Sequence, residues 1–439
     1  MVVALCVVAF GGSARYDAWQ LLVLQPVCIA GLTLFAWRVR QSGTATGFAL
    51  PIWLLVALAG LMLLQLMPLP QAIWSALPGR GVLVDIQTAL GWDNIRPLSL
   101  VPTRTLNALF GLSVPALALF AFIALDPARR RVGAIGAVIL IAVVSAAFGA
   151  LQLIGPSQSA MYLYEISNFG QAVGLFANSN HAAIFGSLAL VVIGYCIVAA
   201  LEAGRIQQIL ALLAIFGLVF VMVILSGSRL GLGTAAIALL STGASYLVQR
   251  SRHAVHAKRP VRIAIAAGFV GSILALAALF FLADQIPALG QLMNEGPMED
   301  LRVRILGTLL EMTGGYFPAG SGIGSFENVY YIVEPDDELR PSYLNMAHND
   351  WLQYLIETGL PGIALLAGAF WWIVRTGLAL ARDPANRPVL VAFIAGVLVV
   401  ALASLFDYPL RVPLFQAACV LLLICTADFA RTRVATEAG

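Results

Sequence analysis

The residues best suited to chemistry lie in one long polar stretch, from about 284 to 357, of a chain that is otherwise strongly apolar. In this stretch His348 is followed by Asn349 and Asp350, and an apolar segment starts at Trp351. A neutral imidazole at a membrane surface can act as a general base, because the unperturbed pKa of histidine is about 6.5. Asn349 or Asp350 can cap the helix that follows. Capping accounts for one of these two side chains and gives His348 no structural role.

Three arginines are candidates for binding an anion. Arg229 ends the sequence Ser226-Gly227-Ser228-Arg229, which separates two apolar segments and lets a ligand approach the backbone closely. Arg302 and Arg304 lie at the start of a predicted helix from Leu301 to Met312. A guanidinium group binds phosphate through two parallel hydrogen bonds. The structural alternatives are a snorkelling side chain at a tight turn for Arg229 and solvated charges on a loop helix for the other two.

A glycine-rich segment, Gly320-Ser321-Gly322-Ile323-Gly324, lies between these arginines and His348. It is not a nucleotide-binding fingerprint, because no apolar strand precedes it and no Lys-Ser or Lys-Thr pair follows it. Gly322 and Gly324 therefore predict a tight turn or a close approach of the backbone to a ligand.

One carboxylate, Glu357, lies inside the apolar segment that follows His348. Helical spacing puts it on the same face as Asp350 and Tyr354. A carboxylate at this depth needs a cationic partner or a proton. The sequence Gly359-Leu360-Pro361-Gly362 predicts a kink in the helix directly after Glu357.

A second histidine, His181, follows Asn180 at the start of an upstream apolar segment. An asparagine at this point can cap a helix, and the sequence favours a structural role for His181 at the start of a span. The five cysteines all fall in apolar segments, and no cysteine and histidine pair has the spacing of metal ligands. We therefore expect no disulfide framework, no metal and no cofactor.

The elements that position these residues are predicted to be membrane-spanning helices. Only 11% of the residues are charged, 60% are hydrophobic, and the mean hydropathy is +0.91. Apolar segments of about 18 or more residues, long enough to cross a membrane, recur along the chain. The sequence predicts an all-α polytopic protein with about 12 transmembrane helices, over 2–11, 18–37, 48–67, 105–125, 132–154, 181–200, 208–225, 230–248, 263–282, 350–374, 389–406 and 412–428.

The distribution of lysine and arginine predicts the orientation, because cytoplasmic loops carry the excess. Cytoplasmic N- and C-termini place 16 of the 25 basic residues on the cytoplasmic side. The long polar loop, 283–349, and the Trp- and Pro-rich segment 68–104 then lie outside, the latter along the membrane interface. The first segment, 2–11, is predicted to be a short or truncated span.

Three divisions of the chain follow from this pattern. N-terminal transmembrane helices occupy 1–150, a core with the long loop occupies 151–375, and C-terminal transmembrane helices occupy 376–439.

Together these segments resemble the O-antigen ligase and polymerase family of bacterial envelope glycosyltransferases. The resemblance covers about 150 to 365 and is carried by Phe176-Ala177-Asn178-Ser179-Asn180-His181, Ser226-Gly227-Ser228-Arg229, the Arg302 helix, Gly320-Ser321-Gly322-Ile323-Gly324-Ser325-Phe326, and His348-Asn349-Asp350 through Glu357-Thr358-Gly359-Leu360-Pro361-Gly362. It implies a metal-independent enzyme of the GT-C type in the bacterial inner membrane, with a periplasmic loop over a lipid-facing cavity.

The resemblance also implies roles for individual residues. His348 corresponds to an essential histidine, proposed as the base on the acceptor hydroxyl. Arg229 and either Arg302 or Arg304 correspond to arginines that bind the diphosphate of an undecaprenyl-diphosphate-linked glycan. Asn349, Asp350, Glu357, Gly322, Gly324, Asn180 and His181 are expected to support the site.

The implied function is transfer of the lipid-linked glycan to an acceptor hydroxyl at the periplasmic face. A ligase would use lipid A–core as the acceptor, and a polymerase of O-antigen or exopolysaccharide units would use a second lipid-linked glycan. Transfer to protein is a third possibility. The partners expected are these substrates and membrane lipids, not nucleic acid. A transporter or flippase of lipid-linked sugars is the alternative from another class, although the polar residues cluster on one side of the membrane and no internal repeat is evident.

Overall fold

The fold is almost entirely helical. The computed structural model describes residues 2–92, 94–156, 159–250, 271, 304–339 and 344–431. The helices in this part of the chain are α1 (Val2–Phe10), α2 (Leu21–Ser42), α3 (Ala49–Leu66), α4 (Gln71–Trp74), α5 (Gly81–Leu90), α6 (Pro102–Gly111), α7 (Ser113–Ala124), α8 (Arg130–Ile154), α9 (Ser179–Glu202), α10 (Ile206–Leu225), α11 (Arg229–Arg250), α12 (Leu306–Tyr316), α13 (Phe326–Tyr330), α14 (Asp350–Arg382), α15 (Arg387–Phe406) and α16 (Pro413–Arg431). The two-residue strands β1 (Pro68–Leu69) and β2 (Arg96–Pro97) pair in antiparallel fashion.

Ten helical segments within the described ranges are long and apolar enough to cross a membrane. They coincide with ten of the twelve predicted spans and confirm an all-α polytopic membrane protein. Of the other two, the segment at 2–11 contains α1, which has nine residues, and the segment at 263–282 lies outside the described residues. α6 and α7 together form one span, Pro102–Ala124.

The helix at the centre of the bundle is α9. Its 18-residue apolar window is 83% buried, the largest share among the ten spans of the described chain. It packs against α8, α10, α11 and α15, and the hydrophobic core includes Ile184, Leu188 and Ile193 of α9. α9 is apolar on nearly all its faces because helices surround it.

The connections at one end of the bundle are held together by backbone hydrogen bonds. Ala177 donates to the Gly12 carbonyl at 3.0 Å, and Leu414 donates to the Gly11 carbonyl at 2.8 Å. Leu100 donates to the carbonyl of Ser321 in the long loop, also at 2.8 Å. This end of the bundle, called the loop end below, is where the candidate functional residues lie.

The described part of the long loop has its own helices and core. Phe326 and Tyr330 of α13 pack with Leu309 of α12 and with Ile356 of α14. The predicted helix from Leu301 to Met312 is found as Leu306–Tyr316. The loop is therefore seated on the first turns of α14.

A sharp break divides α14 directly after Glu357. Gly359 has φ 58° and ψ −143°, outside the helical region, and Pro361 follows two residues later. The structure thus has the predicted kink, and the first turns of α14 form a short separate helix under the loop.

Candidate active site

Two histidines share one buried aspartate at the loop end. The Asp407 Oδ1 atom lies 3.4 Å from Nε2 of His181 and 3.4 Å from Nδ1 of His348. The Asn180 amide donates to Asp407 Oδ2 at 3.0 Å, and the Tyr408 backbone N–H donates to Oδ1 at 2.9 Å. The structure therefore brings three sequence candidates, Asn180, His181 and His348, together around a residue that the sequence analysis did not select.

Asp407 is buried, so its carboxylate can stay charged only if its neighbours stabilise the charge. Its side chain is fully buried, and burial alone would raise the pKa of the carboxyl. The neighbouring imidazoles of His181 and His348 outweigh this effect and hold the pKa of Asp407 well below its usual value. The edges of both imidazoles meet the Tyr408 ring, with centroids 4.8 Å apart in each pair. Asp407 is thus a buried anion fixed between two imidazoles.

His348 sits on an unusual backbone. Its φ of 49° makes it the single non-glycine residue of the described chain in the left-handed region, which is uncommon for a side chain with a Cβ. The following residue, Asn349, caps α14 by accepting a hydrogen bond from the Leu352 N–H at 3.0 Å. The turn before α14 therefore aims His348 at Asp407, and capping is the role of Asn349 rather than Asp350.

Asp350 and Glu357 share one arginine. Arg411 Nη1 lies 2.8 Å from Glu357 Oε2, and Arg411 Nε lies 3.4 Å from Asp350 Oδ1. Gln353 donates to Glu357 Oε1 at 3.1 Å, and the Leu410 N–H donates to Asp350 Oδ2 at 3.2 Å. Burial would lower the pKa of Arg411, but Glu357 and Asp350 together raise it. The predicted need of Glu357 for a partner is met by Arg411.

The glycine-rich segment binds the broken turn of α14 through its backbone. Gly322 N–H donates to the Glu357 carbonyl and Ser321 N–H to the Ile356 carbonyl, both at 2.9 Å. A Cβ on Gly322, which has φ 106°, would lie 2.2 Å from Ser99 Oγ. Gly324 has φ 87° and faces the Arg104 carbonyl. These glycines make the close approach that the sequence predicts, and their neighbours here are other segments of the chain.

Arg229 begins α11 at a buried turn of small residues. Gly227 has φ 72°, Ser228 is fully buried, and its Oγ accepts a hydrogen bond from Gly231 N–H at 2.8 Å. A Cβ on Gly231 would lie 2.4 Å from the Cβ of Ala183 in α9. The half-buried Arg229 therefore lies at the loop end, close to the first turns of α9.

The other two arginines predicted to bind an anion are Arg302 and Arg304. Arg302 lies outside the described residues. Arg304 is exposed and forms an ion pair with Glu338, with 3.1 Å between Nε and Oε1. Arg304 therefore already has a carboxylate partner at the surface of the loop.

A cavity of about 460 Å³ adjoins the Arg411 cluster. Asp350, Tyr354 and Glu357, the predicted common face of α14, all line it. Its wall also includes Arg15, Arg104 and Arg411, but neither Arg229 nor Arg304. Arg104 Nη2 lies 3.3 Å from Glu327 Oε2, and burial raises the pKa of that carboxyl, an effect that Arg104 opposes.

A stretch of the chain that contains several of these site residues matches a known domain. Residues 214–367 match the model of a family described as O-antigen ligase. The chain contains an O-antigen ligase domain. The domain runs from within α10 to the second half of α14 and includes Arg229, Arg302, His348 and Glu357. No curated protein matches the chain.

The matched domain supports an O-antigen ligase or polymerase type of function in general, which implies a glycosyltransferase-like activity on lipid-linked glycans. The apolar helices of the described ranges show a multi-pass membrane protein. In the described part of the chain no group of three or more histidine, cysteine or acidic side chains is arranged to hold a metal ion.

Two site residues outside the ligase domain were missed from the sequence, Asp407 and Arg411. Both lie in Asp407-Tyr408-Pro409-Leu410-Arg411, the short connection between α15 and α16. Two opposite charges in a turn between two spans are the signal that could have identified them, because charges near membrane depth are costly. Their partners on α9 and α14 are distant in sequence, so the sequence gave no indication of which residues they contact.

Proposed function

We propose that this protein transfers an undecaprenyl-diphosphate-linked oligo- or polysaccharide to an acceptor hydroxyl at the periplasmic face of the inner membrane, with lipid A–core as the acceptor. The observation that carries the proposal is His348 held beside the buried carboxylate of Asp407 within the ligase domain. A transferase with a preactivated donor needs a base and a way to neutralise the leaving group, and both are provided by residues at the loop end.

His348 is proposed as the general base. With Nδ1 turned toward Asp407, the ring offers Nε2 to the acceptor hydroxyl. The acceptor oxygen attacks the anomeric carbon, its proton passes to Nε2, and the bond from the anomeric carbon to the diphosphate oxygen breaks. Asp407 acts as a positioning residue that fixes the ring and stabilises the imidazolium formed in this step. A base of this kind contributes about 10²–10⁴ in rate.

Arg229 and Arg302 are proposed to bind the diphosphate, with Arg304 as the alternative to Arg302. The leaving group is undecaprenyl diphosphate, and guanidinium groups that neutralise its charge lower the barrier without a metal ion. Support for Arg229 comes from its half-buried position at the loop end, next to a turn of small residues. The ion pair of Arg304 with Glu338 favours Arg302 for this role.

The alternative acceptor is a second lipid-linked glycan, which would make the protein a polymerase with the same donor site and base. A transporter or flippase is less well supported, because the buried charged cluster lies at one end of the bundle rather than at its middle.

The proposal is tested by supplying purified protein with an undecaprenyl-diphosphate-linked glycan and lipid A–core. We expect the glycan to appear on lipid A–core, with undecaprenyl diphosphate released in equal amount. Chain growth on a second donor molecule would replace the ligase assignment with the polymerase one. Intact donor in both reactions, together with movement of the donor across a vesicle membrane, would support the transporter instead.

A further inference from the structure

The cavity beside the Arg411 cluster has two chemically different ends. Its volume of about 460 Å³ is in the usual range of small-ligand pockets. The roles proposed for His348 and Arg229 do not use it. A ligand that fills this cavity should likewise have one polar part and one apolar part.

The polar end is balanced in charge. Arg15, Arg104 and Arg411 line it together with Glu327, Asp350 and Glu357. Arg104 and Arg411 form ion pairs with the carboxylates of this same wall. With three cations and three carboxylates, the wall has no excess positive charge to attract a phosphate.

Hydrogen-bonding groups are nevertheless abundant at this end. Asn107, Gln416 and Tyr354 add amide and phenol groups. One atom of each amide is bonded within the chain, since Asn107 Oδ1 accepts from Gln25 and Gln416 Nε2 donates to the Leu410 carbonyl. Arg104 Nη1 is buried and makes no hydrogen bond within the described ranges. Such a surface fits the hydroxyl groups of a sugar better than it fits an anion.

The apolar end lies between two helices that face the membrane. Leu54 and Leu58 of α3 and Leu365 and Leu366 of α14 line it. α3 and α14 are the least buried of the ten spans in the described chain, at 17% and 11% of their apolar windows. A lipid tail could therefore enter between them from the hydrocarbon of the membrane.

The cavity adjoins the proposed base and not the proposed diphosphate site. Met346 and Asp350, two residues to either side of His348, both line it. Arg229 does not line it and lies at the start of α11, which packs against α9 and α15. The cavity therefore adjoins the segment that carries the proposed base, although His348 and Arg229 themselves are not part of its wall.

We propose that this cavity is the binding site of the acceptor, a glycolipid whose sugar occupies the polar end and whose tail lies between α3 and α14. The assignment rests on the proposed function, in which His348 removes a proton from an acceptor hydroxyl. Both acceptors considered above, lipid A–core and a second lipid-linked glycan, carry a sugar on a lipid tail.

The test fills the apolar end. Leu58→Trp puts a large side chain into the groove, and Leu63→Trp, an exposed position on the same helix outside the cavity, is the matched control. Asn107→Ala alters the polar end and also removes the oxygen that accepts a hydrogen bond from Gln25 Nε2 at 2.8 Å. Each variant is assayed for binding of labelled lipid A–core without donor, for binding of donor alone, and for the acceptor KM at saturating donor.

We expect Leu58→Trp to weaken acceptor binding and raise the acceptor KM at least about tenfold, because apolar contacts of the tail are lost. Asn107→Ala should raise the acceptor KM several-fold, and neither change nor Leu63→Trp should alter donor affinity. The same assays with the undecaprenyl-diphosphate-linked repeat as acceptor show which glycolipid uses the site.

Two results would overturn the proposal. If Leu58→Trp lowered donor affinity and left the acceptor KM unchanged, the groove would hold the donor tail. Unchanged binding of both substrates in all three variants would exclude the cavity as a substrate site. If wild-type protein bound the glycolipid in a Leu58-dependent manner but transferred nothing, the site would stand and the proposed function would fail.

Discussion

At the scale of single residues, the candidate site is stabilised by pairing of buried charges. Asp407 is fully buried with an imidazole on either side, and Arg411 is shared by two carboxylates. Removing one partner of such a cluster leaves an uncompensated buried charge, and this destabilises the fold by more than the intact pair stabilises it. Substitutions that keep the shape of a side chain and change only its charge are therefore the most informative.

Asp407→Asn should lower kcat by about 10²-fold with little change in either KM, because an amide positions the His348 ring without stabilising its protonated form. The pH dependence of kcat distinguishes this role from a purely structural one, because a structural defect would lower kcat without shifting its pH profile. Since a negative neighbour favours the imidazolium, its loss should move the acidic limb of the profile to lower pH. If the acidic limb of Asp407→Asn lay at the same pH as that of wild type, whatever its kcat, Asp407 would not act on the base.

Acid stability follows from the lowered pKa of Asp407. A carboxyl whose pKa is lower in the folded state than the ordinary value of about 3.9 stabilises the fold fully above that value. This contribution is lost as the pH falls through the lowered folded pKa. We expect the difference in thermal stability between wild type and Asp407→Asn in detergent to shrink as the pH falls below about 4. Parallel stability curves down to pH 3 would contradict it.

Arg229→Ala should weaken donor binding by roughly 10-fold or more, because a charge-assisted contact to the diphosphate is lost. Binding of a labelled undecaprenyl-diphosphate glycan to protein in nanodiscs measures this directly. Arg205→Ala, at the opposite end of α10, is the matched control. A donor affinity equal to that of wild type would remove Arg229 from the diphosphate site.

At the scale of elements, the site is built where the glycine-rich segment meets the break in α14. Leu360 N–H donates to the Pro318 carbonyl at 2.8 Å, and Gln65 of α3 bridges the Glu357 carbonyl and the Ile323 N–H, both at 2.9 Å. Arg80 also donates to the Gly320 carbonyl at 3.0 Å. The Glu357 carbonyl and the Leu360 N–H at the break in α14 thus take part in the hydrogen bonds that hold the loop to the bundle.

Gly359→Ala should lower the thermal stability of the protein and reduce transfer. A Cβ at this position, with φ 58°, would lie 2.1 Å from the Pro318 carbonyl oxygen, and backbone strain of this kind costs about 1–3 kcal/mol. Gly217→Ala in α10, where nothing lies within 4 Å of the added Cβ, is the control and should behave as wild type. Equal melting temperatures for the two variants would show that the loop does not depend on this contact.

The helices were predictable because each span is a long apolar segment, and the kink was predictable because Gly359 and Pro361 break helices locally. The predicted loop helix, Leu301–Met312, corresponds to α12 within the described residues, and its first three residues lie outside them. His181 illustrates a different limit. The sequence favoured a structural role for it, while the structure gives it the same carboxylate partner as His348.

At the scale of the whole molecule, the loop end collects residues from α9, α14 and the connection between α15 and α16. Asn180 and Asp407 are separated by 227 residues, yet they share a hydrogen bond. Pairings of this kind depend on how the helices pack, which apolar periodicity does not specify. The sequence therefore predicted His348 as the candidate base, but not Asp407 or the cavity beside it.

The proposed donor and acceptor sites lie in different parts of the loop end. Arg229 is the first residue of α11, and the cavity is lined by residues of α3 and α14. A transferase that moves a glycan from a lipid carrier to a glycolipid needs a site for each substrate, and we propose these two regions as those sites. The division of the chain at about 150 and 375 remains a prediction, and Asp407 and Arg411 show that the C-terminal part contributes to the site.

The most direct test of His348 as the general base is transfer of glycan from the lipid-linked donor to lipid A–core by His348→Ala, measured together with donor binding by the same sample. We predict that transfer falls by about 10²–10⁴-fold while the protein inserts into membranes and binds donor as wild type does. Wild-type transfer by His348→Ala would contradict the assignment of His348 as the base.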